Sequence, residues 1–272
     1  MGMGGGVLLL EDFRVDARAS SPTEFIALRE VFRRDEFEEW YVTTGRGDLA
    51  GARSVLSYHV STRRLRVLKR GVYAHMNCAD GCLMASRLTP DAVLAFDSGL
   101  RLRGLIMENY RASYFTRCKV RPFCASETEF RPVRVHRGRR IGGVEVVLHE
   151  GHAVRVTTLE CTFVDCVDRL DLAPELPELI NAFREAKKLN VEATVGIAIA
   201  RGSRLVVSRL AFCLFCAGWR VSSSTQRDLE RHGLQQPDYF RRSARGPKDS
   251  IINRWNLIVT PEQFELYAAE LR

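Results

Sequence analysis

Seven Lys/Arg side chains fall between Arg46 and His75, against a single acid, Asp48. They are Arg46, Arg53, Arg63, Arg64, Arg66, Lys69 and Arg70, and the last five share one stretch, "RRLRVLKRGVYAHM", from Arg63 to Met76. One-signed charge at that density suits an anionic polymer. Each cation set against a nucleic-acid phosphate releases condensed counterions, which is the main sequence-independent source of DNA affinity. The plainer use of such residues is a solvated basic face. A second block, "RPVRVHRGRR", contributes Arg131, Arg134, Arg137, Arg139 and Arg140. It reads first as a solvated loop, and otherwise as an extension of a DNA footprint or as a surface for RNA or an acidic protein.

Other chemistries fare less well. Hydrolysis needs a nucleophile, a base and an orienting group converging on one point. The histidines (His59, His75, His136, His149, His152, His232) suggest no such set. "VLHEGH" resembles a zinc motif only superficially, because metal binding on a helix needs H-E-x-x-H, whereas His149 and His152 flank a Gly-containing turn. "GRGDLAG" and "GMGGG" lack the lysine and the strand–loop–helix setting of a phosphate loop. Asp165 and Asp168, three apart on a helix, suit solvated or capping roles better than acid–base work. The eight cysteines include one C-x-x-C, Cys213 and Cys216, inside the apolar run "LAFCLFCAGW". Buried reduced thiols are expected there rather than metal ligands, with Cys78 and Cys82 the next pair to consider. No catalytic residue, metal or cofactor is expected, and the chain reads as a non-enzyme.

The basic stretch needs elements to position it. "SSPTEFIALREVF" predicts a helix capped by Ser21 with Pro22 in its first turn, and "RRDEFEEWYVTTGRG" a second. "GDLAGARSVLSYHV" predicts a third, capped by Asp48. On a helical wheel Leu49, Ala52, Val55, Leu56, His59 and Val60 face inward. Ala50, Gly51, Arg53, Ser54, Ser57, Tyr58 and Ser61 face outward. That outer side is small and hydrogen-bonding, as a groove-reading helix requires. Alternation in "RLRVL" sends Leu65 and Val67 inward and Arg64 and Arg66 outward, with Gly71 in the turn of a hairpin.

Three helices and a basic hairpin make a winged helix-turn-helix over residues 20–77, with double-stranded DNA as partner. Arg53, Ser54, Ser57 and Tyr58 are the candidate groove contacts; Arg46, Arg63, Arg64, Arg66, Lys69 and Arg70 are the candidate phosphate contacts. After a boundary at "NCADG", residues 83–272 read as a mixed α/β domain with a small sheet and a helical C-terminal part, so the fold class is α+β. Thr89 and Pro90 look like the start of a helix continuing through Leu100. Thr157 with Glu160 looks like a capping box, as does Thr260 with Gln263. The chain is 272 residues, 46% hydrophobic and 27% charged, with formal net charge +8. "MGMGGGVLLLED" has no basic lead and only a short apolar core, and no run reaches the roughly 18 residues of a membrane span. A soluble, cytoplasmic protein with no membrane partner is expected.

"RLRVLKRGVYAHM" followed by "ASRLTPDAVLAFDSGLRLRGL", with "VTTLECTFVD" further on and "RWNLIV" near the end, resembles the AbiEi-type antitoxins of type IV toxin–antitoxin systems. The resemblance covers about residues 25–170 well and the remainder loosely. It implies a repressor of its own operon. Its other partner would be a nucleotidyltransferase-like toxin, opposed through the domain after the winged helix without a stable complex. This sequence departs from the family at Cys161, where relatives carry arginine in "LERT", and at Asp97, Gly99, Arg101 and Arg103 within "FDSGLRLRG". Two other readings stay open: a stand-alone winged-helix regulator, and a protein–protein interaction module built on a degenerate winged helix.

Overall fold

A computed structural model describes residues 19–107, 110–136, 141–241 and 251–261, together with 263 and 265. These fall into two units interleaved along the chain. One gathers 19–94, 110–136 and 145–156; the other gathers 95–107, 141–144 and the described residues from 157 onward. The sequence points to one boundary between residues 77 and 83. The chain instead passes between the units several times, and Asp80, in the expected boundary loop, caps a helix.

The first unit begins as its residue types dictate. Ser21 accepts a hydrogen bond from Glu24 N at 3.1 Å and Pro22 opens α1 (Pro22–Leu28), a cap typically worth about 1 kcal/mol. The helix does not run on through "REVF", where Val31–Arg33 form β1. Then come α2 (Arg34–Thr43), α3 (Leu49–Ser61), β2 (Leu65–Lys69) and β3 (Val72–His75). The strands form an antiparallel sheet in the order β1-β3-β2, with Val31 opposite Ala74 and Leu65 opposite His75. Phe25, Phe32, Phe37 and Trp40 fill the space between helices and sheet, joined by Ala52 and Leu56 from α3. Phe25 meets Phe37 edge-on at 5.2 Å. Burying each such ring contributes about 1.5–3 kcal/mol.

The same unit continues into α4 (Gly81–Arg87), capped by Asp80, which accepts from Cys82 N at 2.7 Å and Leu83 N at 3.0 Å. Thr89 and Pro90 do not start a helix. Thr89 donates instead to Thr116 Oγ1 at 3.0 Å, and Val93–Leu94 form β4. This strand is central in a six-stranded sheet, order β6-β7-β5-β4-β9-β8. The others are β5 (Arg111–Thr116), β6 (Phe123–Ala125), β7 (Thr128–Arg134), β8 (Val144–His149) and β9 (His152–Thr157). A short, wholly apolar run such as 92–96 has no period that separates strand from helix.

The second unit is mainly helical: α5 (Phe96–Arg101), α6 (Leu159–Asp168), α7 (Leu176–Glu185), α8 (Val191–Ala200), α9 (Arg204–Cys216) and α10 (Ser223–His232). A small sheet, order β10-β12-β11, joins β10 (Asp238–Tyr239), β11 (Ile251–Ile252) and β12 (Leu257–Val259). The cap of α6 is Thr158, one residue after the expected Thr157, and the Glu160 carboxylate accepts from Asn190 N at 3.3 Å instead of closing a box. The Thr260–Gln263 box is present, with reciprocal bonds of 3.1 and 3.4 Å. The rest of the closing helix expected in "TPEQFELYAAEL" lies outside the described residues, apart from 261 and 265. All eight cysteines are free, and six are buried, Cys213 and Cys216 among them.

Two buried contacts, one steric and one ionic, stand out in this unit. Gly99 packs against α6 so closely that a Cβ there would lie 2.8 Å from Thr162 Cγ2. Asp165, read as solvated or capping, is only 1% exposed and pairs with Arg201 Nη2 at 2.6 Å. Burial, opposed by Arg201, pushes its carboxyl pKa up to about 6. Such a group penalises the fold above about pH 6, and protonation relieves the penalty as pH falls toward its unfolded value. Gly99→Ala should lower the denaturation midpoint: overpacking costs about 1–3 kcal/mol and helix propensity returns at most about 1. Thr162→Ser, which deletes Cγ2, should restore most of the loss. Arg201→Met should cost about 3–5 kcal/mol at pH 7.5 by stranding the buried carboxylate. Chemical denaturation at pH 5 should show a smaller loss.

Candidate nucleic-acid interface

The third helix follows a turn in which Gly45 and Gly47 adopt positive φ. The Asp48 carboxylate accepts from Gly51 N at 2.8 Å and starts it. Ala52, Leu56 and His59 are buried, and Val55 and Val60 pack on the same aromatic core. Ala50, Arg53, Ser54, Ser57, Tyr58 and Ser61 are exposed. The wheel therefore describes the helix well, except at Leu49, which is exposed in the first turn, and at Gly51, expected outward but half-buried beside Tyr41. Ser54 and Ser61 donate to carbonyls of their own helix, Ala50 O at 3.0 Å and Tyr58 O at 2.9 Å. Their oxygens still face outward as acceptors.

Arg53 is not a solitary charge. Its Nε donates to Glu38 Oε1 at 2.8 Å, and Arg34 Nε lies 3.5 Å from the same oxygen. Sequence reasoning misses Glu38 as Arg53's partner, because fifteen residues separate them and only the packing of α2 on α3 joins them. Arg46 is exposed, yet it donates to Ser20 O at 2.6 Å and lies over the Trp40 ring at 5.0 Å.

The hairpin corrects the alternation rule. Between Val67 and Lys69 the register of β2 against β3 shifts, with Val67 opposite Tyr73 but Lys69 opposite Val72. This bulge inserts one residue and moves the following side chains to the other face. Leu68 takes the core position, and Val67, expected inward, is 50% exposed. Arg66, expected outward, is half-buried, and its Nη2 donates to the Cys78 carbonyl. Lys69 is also half-buried, and burial pulls its ammonium pKa down. Arg63, Arg64 and Arg70 are exposed, Arg70 beside Gly71 with φ of 79°. The hairpin thus presents three of its five cations openly.

In the second basic block Arg131 is half-buried and pairs with Glu129 at 2.8 Å, while Arg134 is exposed. Arg137, Arg139 and Arg140 lie outside the described residues. "HEGH" is a turn between β8 and β9, with Glu150 and Gly151 at positive φ, and His149 Nε2 pairs with Asp80. Among the described residues no cluster of three or more His, Cys, Asp or Glu side chains is placed to hold a metal ion. None of the described helices is long and apolar enough to cross a membrane.

These features define the class as a mixed α+β protein of two units, with helices packed on small sheets. The fold is similar to that of the RV2827C protein from Mycobacterium tuberculosis, known from a crystal structure. The match has TM-score 0.60 and 11% identity, and covers 89% of this chain and 90% of that one. No protein-family model matches the chain, and no curated protein matches it.

His59 joins the outer face of α3 to its core. Burial, reinforced by the Arg64 charge, holds its imidazole pKa below the ordinary value of 6.5. Its contribution to stability is full above pH 6.5 and is lost as pH falls toward the folded value. Imidazole signals followed by NMR should therefore show His59 titrating below 6.5, and His59→Leu should reduce the acid-side loss of stability.

Proposed function

We propose that residues 20–77 act as a winged helix-turn-helix on operator DNA. In this reading α3 enters the major groove and the β2–β3 hairpin lies along the neighbouring backbone. One observation carries it: the exposed side of α3 offers Arg53, Ser54, Ser57 and Tyr58 with small residues between them, next to a hairpin with Arg63, Arg64 and Arg70 exposed. Arg, Ser and Tyr are the side chains that meet phosphates and base edges. Arg46, Arg66 and Lys69 contribute field more than direct contact, because each is engaged or half-buried.

Combined with the resemblance of residues 25–170 to AbiEi-type antitoxins, this reading makes the chain an autorepressor of a type IV toxin–antitoxin operon. The rest of the chain would oppose a nucleotidyltransferase-like toxin, a functional rather than a stably bound partner. A second reading is favoured by Glu38, which pairs with Arg53 on the proposed face. In that reading the N-terminal elements are a scaffold in a protein–protein module, and Arg53 only ties α3 to α2.

Binding of the chain's own upstream DNA across a salt series tests both. Arg64→Ala and Arg70→Ala should each weaken every duplex and lower the slope of log K against log salt by about 0.9. Arg53→Ala should instead relax discrimination at one or two base pairs, by roughly tenfold or more where the contact is bidentate. Glu38→Gln, which releases Arg53, should tighten the duplex. A flat salt response with no effect of Glu38→Gln would favour the scaffold.

A further inference from the structure

Three arginines remote in sequence line one cavity of about 190 Å³ within the first unit: Arg33 of β1, Arg87 of α4 and Arg155 of β9. Glu36, Ser86, Pro90 and Ala153 complete the described wall, and Glu36 is the one carboxylate among them. Arg33 holds that carboxylate, donating its backbone N–H to Oε2 at 2.7 Å and placing Nη2 3.1 Å from Oε1. Arg87 Nη1 stands 4.0 Å from the same Oε1.

Arg33 Nε also donates to Asp35 Oδ1 at 3.1 Å, while the carbonyl anchors of Arg87 and Arg155 are neutral. Arg87 Nη2 donates to Ala153 O at 3.4 Å, and Arg155 Nη2 donates to the Pro90 carbonyl. Carbonyls fix a guanidinium in place without cancelling its charge. The Asp91 carboxylate, outside the wall, accepts from Thr116 Oγ1 at 2.7 Å and Arg117 N at 2.6 Å and offsets part of the Arg155 charge. Among the residues of the wall itself, three are cations and one is a carboxylate. Burial lowers the pKa of both Arg87 and Arg155, opposed by Glu36 at Arg87 and by Asp91 at Arg155, with a smaller repulsion from Arg33 on each.

We propose that this cavity binds a single tetrahedral phosphate group. Guanidiniums fixed in orientation form paired N–H···O bonds to phosphate oxygens. The volume is that of several waters at about 30 Å³ each, enough for one oxyanion. Arg33 and Glu36 also sit at the start of α2, where the backbone favours negative charge, a place Glu36 now occupies. The phosphate comes either from a free phosphate ion or from a nucleic-acid backbone. The site stands independently of whether α3 reads DNA.

The test uses the full chain in inorganic phosphate against sodium chloride matched in ionic strength. At about ten times Kd, phosphate should raise Tm by roughly 3–5 °C beyond chloride. Arg155→Met should abolish the difference. Glu36→Gln should enlarge it, because Gln keeps the capping bond to Arg33 N while the competing charge is gone, so a gain of response cannot come from misfolding. Equal shifts in phosphate and chloride would overturn the site, as would a Glu36→Gln variant that responds like the parent. Adding upstream duplex identifies the source: competition between duplex and phosphate assigns the cavity to the backbone, and its absence assigns it to the free ion.

Discussion

The roll of α3 about its own axis depends on three side chains beneath it. Ala52 and Leu56 belong to the same cluster as Phe25, Phe37 and Trp40, and His59 beside them is also buried. Ala52 is small enough to bring the helix down onto the rings, and Leu56 and His59 fill the space one and two turns on. A rotation of a single residue position, about 100°, would replace them with Arg53, Ser57 and Val60. The core thus sets which residues are offered outward. The polarity of the outer face is a consequence of ring packing, not an independent design.

Charge count and charge availability differ here for physical reasons. Arg53, Arg46 and Arg131 each have a partner, and Arg66 turns its guanidinium toward a backbone carbonyl. The Arg53–Glu38 pair is not an obstacle to phosphate binding on that ground alone. Exposed ion pairs are weak because water screens them and holding two long side chains costs entropy. A polyanion that releases counterions competes well with one carboxylate. Under the DNA reading proposed above the pair would set affinity locally, the more so because Glu38 is shielded.

Signals confined to a few adjacent residues are legible in the sequence. Ser21, Asp48 and Thr260 cap where their types say they should, and the two sides of α3 separate as a wheel predicts. Features that depend on contacts distant in sequence are not. The bulge at Val67–Lys69 leaves no compositional mark, since either of two apolar neighbours, Val67 or Leu68, could be the core residue. The helix α10 buries only Thr225 and Leu229, too few positions to establish a period. β4 is only two residues, Val93 and Leu94, both buried, so it is too short to show alternation. Arg33, Arg87 and Arg155 converge only after three separate segments fold together, so no run of basic residues announces them.

Asp97, Gly99, Arg103 and Cys161 fall in one place, and that place is mostly interior. Cys161 stands one turn before Asp165, and it is buried. The guanidinium that neutralises Asp165 comes from Arg201, at the end of α8. Gly99 meets Thr162 on the turn after Cys161. Arg103 then closes the same locus, donating to Gly99 O at 2.6 Å and Thr157 O at 2.5 Å. Asp97 is buried too, accepting from Ser98 N at 2.7 Å. A small residue at 99 makes room, and the arginines at 103 and 201 bridge what the helices α5 and α6 leave open. Residues in direct contact are coupled in energy, because altering one alone would leave a void or an unpaired charge. None of these residues lies on α3, so its exposed face does not depend on their identity.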